Sequence, residues 1–411
     1  MDRVDYEYVP IKKIGKVITG KTPATSHEEY YDGQYMFISP VELHGGYRVT
    51  KSEKTITEKG LESIKTNSIE GISILVGCIG WDMGNVAMCF EKCATNQQIN
   101  AITQIDAKYN PYYIYYWLCG KKKYLFSIAS VTRTPILSKS TFEEIVIPLP
   151  MKKNQDKIAN ILLKIDQKIT LNKQINDNLE QQAKLLYDYW FTQFDFPDEN
   201  GKPYRSSGGK MVWNEQLKRD IPSGWTVIPF LEAASWESNS QPPKSEFIYE
   251  PQEGYVRFIQ NRDYESNTHI TYIPLTKNLS IVDRFDILMD KYGDAGAVRY
   301  GIEGAFNVAL GKICVHNQNY REYIRSFLSS DGIYNFLHNS CMASTRASLN
   351  ESNLAILNIP IPDEKIILKY EKLLHKMRLS ILKNNDETQK LIDLRDWLLP
   401  ILMNGQATIS D

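Results

Sequence analysis

The sequence predicts an α+β chain in which one unit is written twice. A mixed α/β globule runs into a long α-helix, the pattern repeats, and the two helices pair as an antiparallel coiled coil about an internal pseudo-twofold repeat. Three observations carry this prediction. The endings FEEIVIPLP and LAILNIPIP close at Pro150 and Pro362, so Pro148/Pro150 and Pro360/Pro362 recur at one spacing. A long amphipathic stretch follows each ending. The segments ahead of them also match, more in their punctuation than in their loops.

The first globule occupies 1–150. It begins with YVPIKKIGKVITGKTP from Tyr8, and short apolar runs with glycine turns, such as ISILVGCIG from Ile72 and ATNQQINAI from Ala94, read as strands. The first long helix, 151–192, places Ile158, Ile165, Asn172, Leu179 and Leu186 every seventh residue, with Ile161, Leu162, Ile169 and Ile175 on the same stripe. A linker, 193–223, overlaps the Gly-, Pro-, Ser- and Asn-rich run from Phe196 to Trp225. Its aromatics Tyr204, Trp213 and Trp225 predict that it packs against a domain. The second globule, 224–362, answers the first with GWTVIPFLEAASWESNSQPP, FDILMDKYG from Phe285 and AFNVALGKI from Ala305. The second helix and tail, 363–411, repeat the seam as Tyr370, Met377, Asn384, Leu391 and Leu398, with Leu373, Leu374, Ile381 and Leu394 beside it.

Each seam has an asparagine at its middle position, where an apolar residue would stabilise more. Antiparallel pairing brings Asn172 and Asn384 together at the centre, where two facing amides would set the register of the helix pair. The alternative is a pair of solvent-exposed asparagines.

Composition is that of a globular protein with several cores: 411 residues, 42% hydrophobic and 24% charged. The opening MDRVDYEYVP lacks the basic start and apolar run of a secretory signal, and no stretch has the length of a membrane span, so a cytoplasmic location is expected. Cys78, Cys89, Cys93, Cys119, Cys314 and Cys341 form no CxxC pair, which suggests neither a disulfide framework nor a four-cysteine zinc site. A formal charge of −1 is unlike a free-standing DNA-binding domain. A nucleic-acid role would need the basic residues gathered on one face, or partners that supply the phosphate grip.

The linker run ENGKPYRSSGGKMVWNE followed by IPSGW, together with the closing LRDWLLPILMNGQ from Leu394 to Gln406, resembles the specificity subunits of type I restriction-modification systems. The resemblance covers essentially the whole chain. It implies two target-recognition domains held apart by paired helices, each reading half of a gapped double-stranded DNA site. It also implies two adenine-N6 methyltransferase subunits and two motor-nuclease subunits as partners. Those partners would bind S-adenosylmethionine, ATP and Mg, leaving this chain without cofactor or chemistry. The seam from Ile158 to Leu186 would span roughly 42 Å at 1.5 Å per residue, against about 34 Å per turn of B-DNA, so the target halves are expected about one turn apart.

Recognition residues are sought in loops that recur. SIASVTRTPILS and NSCMASTRASLN both place Thr-Arg before a strand: Thr132 and Arg133 in the first, Thr345 and Arg346 in the second. An arginine there would reach a guanine edge with its fork, or else pair with a nearby carboxylate and fix the loop. Lys121, Lys122 and Lys123 follow the aromatic run PYYIYYWL and suit phosphate contact, or a helix C-terminus complemented by cations. Glu42 and His44 in ISPVELHGGY, and Asn261 and Arg262 in FIQNRDYES, occupy similar places. Lys291 and Arg299 flank Gly293 and Gly296, and read as DNA contacts or as parts of an ordinary glycine-turned hairpin.

Enzyme readings fit less well. NPYY at Asn110–Tyr113 departs from the amino-methyltransferase motif NPPY at its third residue. A proline in the first turn of a helix capped by Asn110 accounts for it. No glycine-rich phosphate loop has motor spacing, and His44, His316 and His338 have no nucleophile context. A protein-only coiled-coil scaffold stays as a third class, distinguished by equal binding to all DNA sequences. Replacing both Asn172 and Asn384 by leucine is expected to raise stability by about 1 kcal/mol in denaturant unfolding, while hydrogen exchange along the helices speeds up as register loosens.

Overall fold

The computed structural model describes residues 6–131, 133–265, 267, 269–342 and 348–407. The chain divides into two compact units, Met1–Gln174 with Asn385–Asp411, and Ile175–Asn384. Both divisions fall inside long helices, so each unit contains one globule and a segment of each helix.

In the first unit an antiparallel sheet runs in the order Lys16–Thr19, Ile99–Thr103, Ser73–Gly77, Val86–Cys89. Ser73–Gly77, Val86–Cys89 and Ile99–Thr103 are buried throughout, as uninterrupted apolar runs require. A second sheet runs Lys54–Ile56, Tyr31–Ile38, Cys93–Thr95, Ser68–Ile69, and its middle pair is parallel. A ribbon pairs Tyr6–Pro10 with Val146–Pro150.

The second unit repeats this strand for strand. Its main sheet runs Ala234–Ser238, Leu310–Val315, Ile287–Asp290, Val298–Arg299. Its second sheet runs Tyr272–Pro274, Tyr255–Ile259, Gly304–Phe306, Ile281–Val282, again with a parallel middle pair. Its ribbon joins Thr226–Pro229 to Asn358–Ile361. The repeated prolines have a shared task. Tyr113, in the helix Pro111–Cys119, donates its hydroxyl to the Pro148 carbonyl at 3.3 Å, and Tyr323, in the helix Arg321–Ser329, donates to the Pro360 carbonyl. Asn110 caps the first of these helices by accepting from the Tyr112 and Tyr113 amides.

The predicted long helices are Lys152–Tyr187, continued by a π-helical turn Asp188–Thr192, and Glu364–Met403. They run antiparallel in each unit. In the first unit Asp166 pairs with Arg395, and Asn172 Nδ2 donates to Glu387 Oε2 at 2.8 Å and Thr388 Oγ1 at 3.4 Å. In the second unit Asn384 Nδ2 donates to Asn176 Oδ1 at 2.8 Å, and Glu180 pairs with Arg378. Asn172 is fully buried, which removes the solvent-exposed alternative for it. The predicted stripe is wider than the observed one. Ile175, Leu373 and Leu394 are exposed, because two helices in contact cover only the narrow line between them.

Each globule closes its core on both helices. Ile158, Ala159 and Leu162 join Leu402 and Met403 in the first core, and Ala183, Tyr187 and Trp190 join Ile367, Tyr370 and Leu374 in the second. The linker packs as predicted through Phe196, Tyr204 and Trp225, whose rings stack. Trp213 is the exception: it stands 57% exposed on the hairpin formed by Met211–Asn214 and Arg219–Pro222.

Where the first globule uses Asn110 as a cap, the second uses a carboxylate from its long helix. Glu371 Oε1 accepts from the Glu322 amide at 2.6 Å and the Tyr323 amide at 3.0 Å. Burial, followed by the nearby Glu322 charge, outweighs these hydrogen bonds and lifts the Glu371 carboxyl to about 8. A carboxyl raised on folding binds its proton more tightly in the native state, so its contribution to stability falls as pH rises from about 4.5 to about 8 and then levels off. Glu371→Gln keeps an acceptor without a titrating proton. Thermal melts from pH 5 to 8 should show a flatter profile for this variant, with its gain over wild type greatest near pH 8.

Candidate nucleic-acid interface

The pairing register of the first unit's main sheet sets Thr19 beside Asn100, and Gly77 beside Ile99, at one end of the strands. Loops 20–30, 78–85 and 96–98 therefore leave from that end. The turn after Ile38 reaches it too, because the Asn96 amide donates to the Ile38 carbonyl. The hairpin Ser130–Val131/Pro135–Ile136 docks there through Gly80 N to Pro135 O at 3.0 Å and Leu137 N to Cys78 O at 2.9 Å. Arg133 occupies its tip. The Arg133 side chain is exposed and has no ion-pair partner among the described residues. Thr132 lies outside the described residues, as do Thr345 and Arg346 in the second unit.

Two other groups of predicted residues meet at this end. Lys122 Nζ donates to Asp82 Oδ1 at 2.6 Å and Asn85 Oδ1 at 2.8 Å, while His44 Nε2 lies 2.9 Å from Asp82 Oδ2. The Lys122 ammonium, with burial opposing it, holds the Asp82 carboxyl below its ordinary range. Gly84, at φ 91°, lies so close to the Lys122 backbone that a Cβ would fall 2.9 Å from Lys122 Cγ. The lysines follow the end of the aromatic helix, so both readings of them stand. The aromatic helix ends at Cys119, and Lys122 opens a new short helix, Lys122–Ser127. Lys123 is exposed, and the Lys121 ammonium lies 5.2 Å from the Trp117 ring.

Glu42 belongs to the scaffold. Its carboxylate accepts from the Ser39 amide and hydroxyl and from the Glu53 amide, closing a capping box on the turn Pro40–His44. Burial works against ionisation, but these hydrogen bonds outweigh it and hold the carboxyl below its usual value. The second unit builds the same box with Gln260 and Asp263 on Asn261–Tyr264. Arg262 projects from that turn, with Nη2 3.4 Å from Thr271 Oγ1, and Asn261 begins it.

At the corresponding end of the second sheet the Leu349 amide donates to the Lys291 carbonyl at 3.0 Å, as Leu137 does to Cys78. Lys291 Nζ donates to Ser238 Oγ at 3.0 Å and lies 5.7 Å from the Trp236 ring, and burial lowers its pKa. Arg299 is engaged by the chain itself. Its Nη2 donates to Asp290 Oδ2 at 2.8 Å, and burial lifts that carboxyl even with the guanidinium beside it. The glycine-turned hairpin expected there is present, with Gly293 and Gly296 both at positive φ.

Two exposed aromatics escaped the sequence reading. Trp81, 71% exposed, sits between Gly80 and Gly84, and Tyr292, 51% exposed, precedes Gly293 in the matching loop. The signal was present as an aromatic beside a glycine within four residues of the end of each repeated strand. An exposed ring and exposed cations at one sheet end are the chemistry that stacks on bases and meets phosphates.

Comparison with known proteins agrees with the duplicated architecture. The family model described as type I restriction modification DNA specificity domain matches residues 3–181 and again 222–392. The MjaIX specificity subunit of Methanocaldococcus jannaschii, a type I restriction enzyme component, is 27% identical over 99% of this chain and 94% of its own length. The HindI specificity subunit of Haemophilus influenzae is 23% identical over 68% of this chain and 74% of its own. Among solved structures, the S subunit of a type I restriction-modification system from M. genitalium superposes with a TM-score of 0.62 at 17% identity. That match covers 98% of this chain and 97% of the other, and it supports the fold. No helix among the described residues is long and apolar enough to cross a membrane. Two successive matches to one domain model, over two units built strand for strand alike, place this chain in the family of type I restriction-modification DNA specificity proteins.

Proposed function

We infer that this chain reads a gapped DNA target, each globule contacting one half-site through the loop end of its main sheet. One observation carries the inference: the same sheet end is elaborated in both units with a glycine turn, an exposed aromatic and a docked loop, on an otherwise repeated scaffold. Arg133, Lys121 and Lys123 are the first unit's contacts, and Arg262, Lys291 and, outside the described residues, Thr345 and Arg346 serve the second. The paired helices act as a ruler between half-sites. Lys152–Tyr187 has 36 residues, roughly 54 Å at 1.5 Å per residue, which is ample for halves about one turn apart.

The chain carries out no catalysis in this scheme. Two methyltransferase and two motor-nuclease subunits supply it in the cytoplasm, binding S-adenosylmethionine, ATP and Mg. Exposed apolar side chains along the helices, Leu185, Leu379 and Trp397 among them, support recruitment of such partners. Their phosphate contacts would also compensate for a net charge of −1.

Mapping methylated adenines in cells with and without this chain should reveal one gapped motif that depends on it, and purified chain alone should methylate nothing. A footprint that spreads equally over all sequences would favour the protein-only scaffold instead. On the mapped target, Arg133→Ala is expected to weaken binding about tenfold or more in gel shifts with the methyltransferase present, a bidentate base contact being worth about 1–3 kcal/mol. Arg299→Ala should instead lower the melting temperature, because it strands buried Asp290. Inserting seven residues into both helices adds about 10 Å, which should lengthen the unspecified spacer by about three base pairs.

A further inference from the structure

Charged side chains are buried where the long helices meet the globules, and their arrangement is not symmetric. In the first unit Asp166, 4% exposed, accepts from Arg395 Nη1 at 3.0 Å and from the Tyr116 hydroxyl at 2.7 Å. In the second unit Arg378, 5% exposed, pairs with Glu180, donates to Glu322 Oε2 at 3.2 Å and lies over the Tyr300 ring. Asp166 and Arg378 occupy the same place in the repeat, each directly after a matched seam residue, Ile165 and Met377. One position thus carries opposite charges in the two helices. Both acids of these pairs, Asp166 and Glu180, lie on the first helix, and both arginines, Arg378 and Arg395, lie on the second.

We propose that these two pairs, each built on one buried charge, Asp166 or Arg378, are a pairing code that makes the first helix complementary to the second and to nothing else on a second copy of this chain. By the repeat spacing, Arg395 corresponds to Ala183 on the first helix, and Glu180 corresponds to Ile392 on the second. Two first helices laid together in the observed antiparallel sense would set Asp166 against Ala183, with Glu180 one turn away. The buried acid would lose its cation and gain a like charge nearby. Two second helices would set Arg378 against Ile392, with Arg395 one turn away. A buried charge stripped of its partner is strongly unfavourable, whereas the matched pair is close to neutral, so the code acts by rejecting wrong partners. The globules reinforce it, since Tyr116 donates to the acid and Glu322 accepts from the arginine. The Lys168–Glu387 pair has the opposite polarity, but both of its members are exposed, at 44% and 45%, so solvent screens it and neither would be stranded in a closed interior by a wrong partner. Two copies of this chain therefore have one exchange open to them, first helix with second.

The test uses full chains with different affinity tags. Asp166→Arg places an arginine against Arg395 within its own chain, and Arg395→Asp places an acid against Asp166. Co-expressed, each chain can satisfy the other by exchanging helices. The arginine introduced at position 166 of one chain would meet the aspartate introduced at position 395 of the other, while the unaltered Asp166 and Arg395 would meet each other. Native mass spectrometry after tandem purification should show the mixed dimer in at least tenfold excess over either self-dimer. Should one variant be insoluble alone, its recovery on co-expression supports the code, and failure to recover counts against it. Asp166→Arg with Arg395→Asp in one chain should return a monomer melting above both single variants. Self-dimers as abundant as mixed dimers, or a double reversal no more stable than the singles, would overturn the proposal.

Discussion

Neither globule completes its core with only the helix that directly follows it. The first needs Leu402 and Met403 from the far end of the chain, and the second needs Ala183, Tyr187 and Trp190 from the helix that follows the first. Burying side chains of the leucine and methionine class contributes about 1.5–3 kcal/mol each, a sizeable share of the roughly 5–15 kcal/mol that separates native from unfolded domains. The helices are therefore structural members of both units. Because the first core waits for the last helix, its completion depends on contacts distant in sequence, a topology that folds slowly.

The same contacts explain why the rods tolerate so much polarity. Asn172 and Asp166 are buried in a pair of helices that could have been lined with leucine, yet each has a donor or acceptor on the opposing helix. Such groups contribute little to stability and much to the choice among alignments. Ile175, Leu373 and Leu394 meanwhile face solvent. The helices thus bury a few polar groups among apolar ones and leave several apolar side chains in solvent.

The architecture was legible in the sequence because duplication doubles every signal. The proline pairs, the seam and its central asparagine, Asn172 or Asn384, each appear twice, and accidental matches do not recur in register. The interface was less legible. Glu42 and Arg299 look like readers in one dimension because a polar residue in a loop gives no sign of its partner. The partners, Ser39 and Glu53 for the first and Asp290 for the second, emerge only when strands bring them together. Trp81 and Tyr292 were missed for the opposite reason: an aromatic next to a strand suggests core, and only the glycine turn reveals that it points outward. Asp166 and Arg378 were hidden because an apolar period draws attention to leucine and isoleucine, while the charged neighbour inside the stripe passes as surface.

The main sheets differ at one matched pair of positions. By register, Gly77 and Ala87 in the first occupy the places of Asp290 and Arg299 in the second. Two small residues and an ion pair fill the same site, and both solutions are internally consistent. Removing the arginine alone would leave the buried Asp290 carboxylate without its counterpart, and adding a carboxylate alone at Gly77 would do the same in the first sheet. Converting one solution into the other without stranding a charge therefore takes both substitutions together.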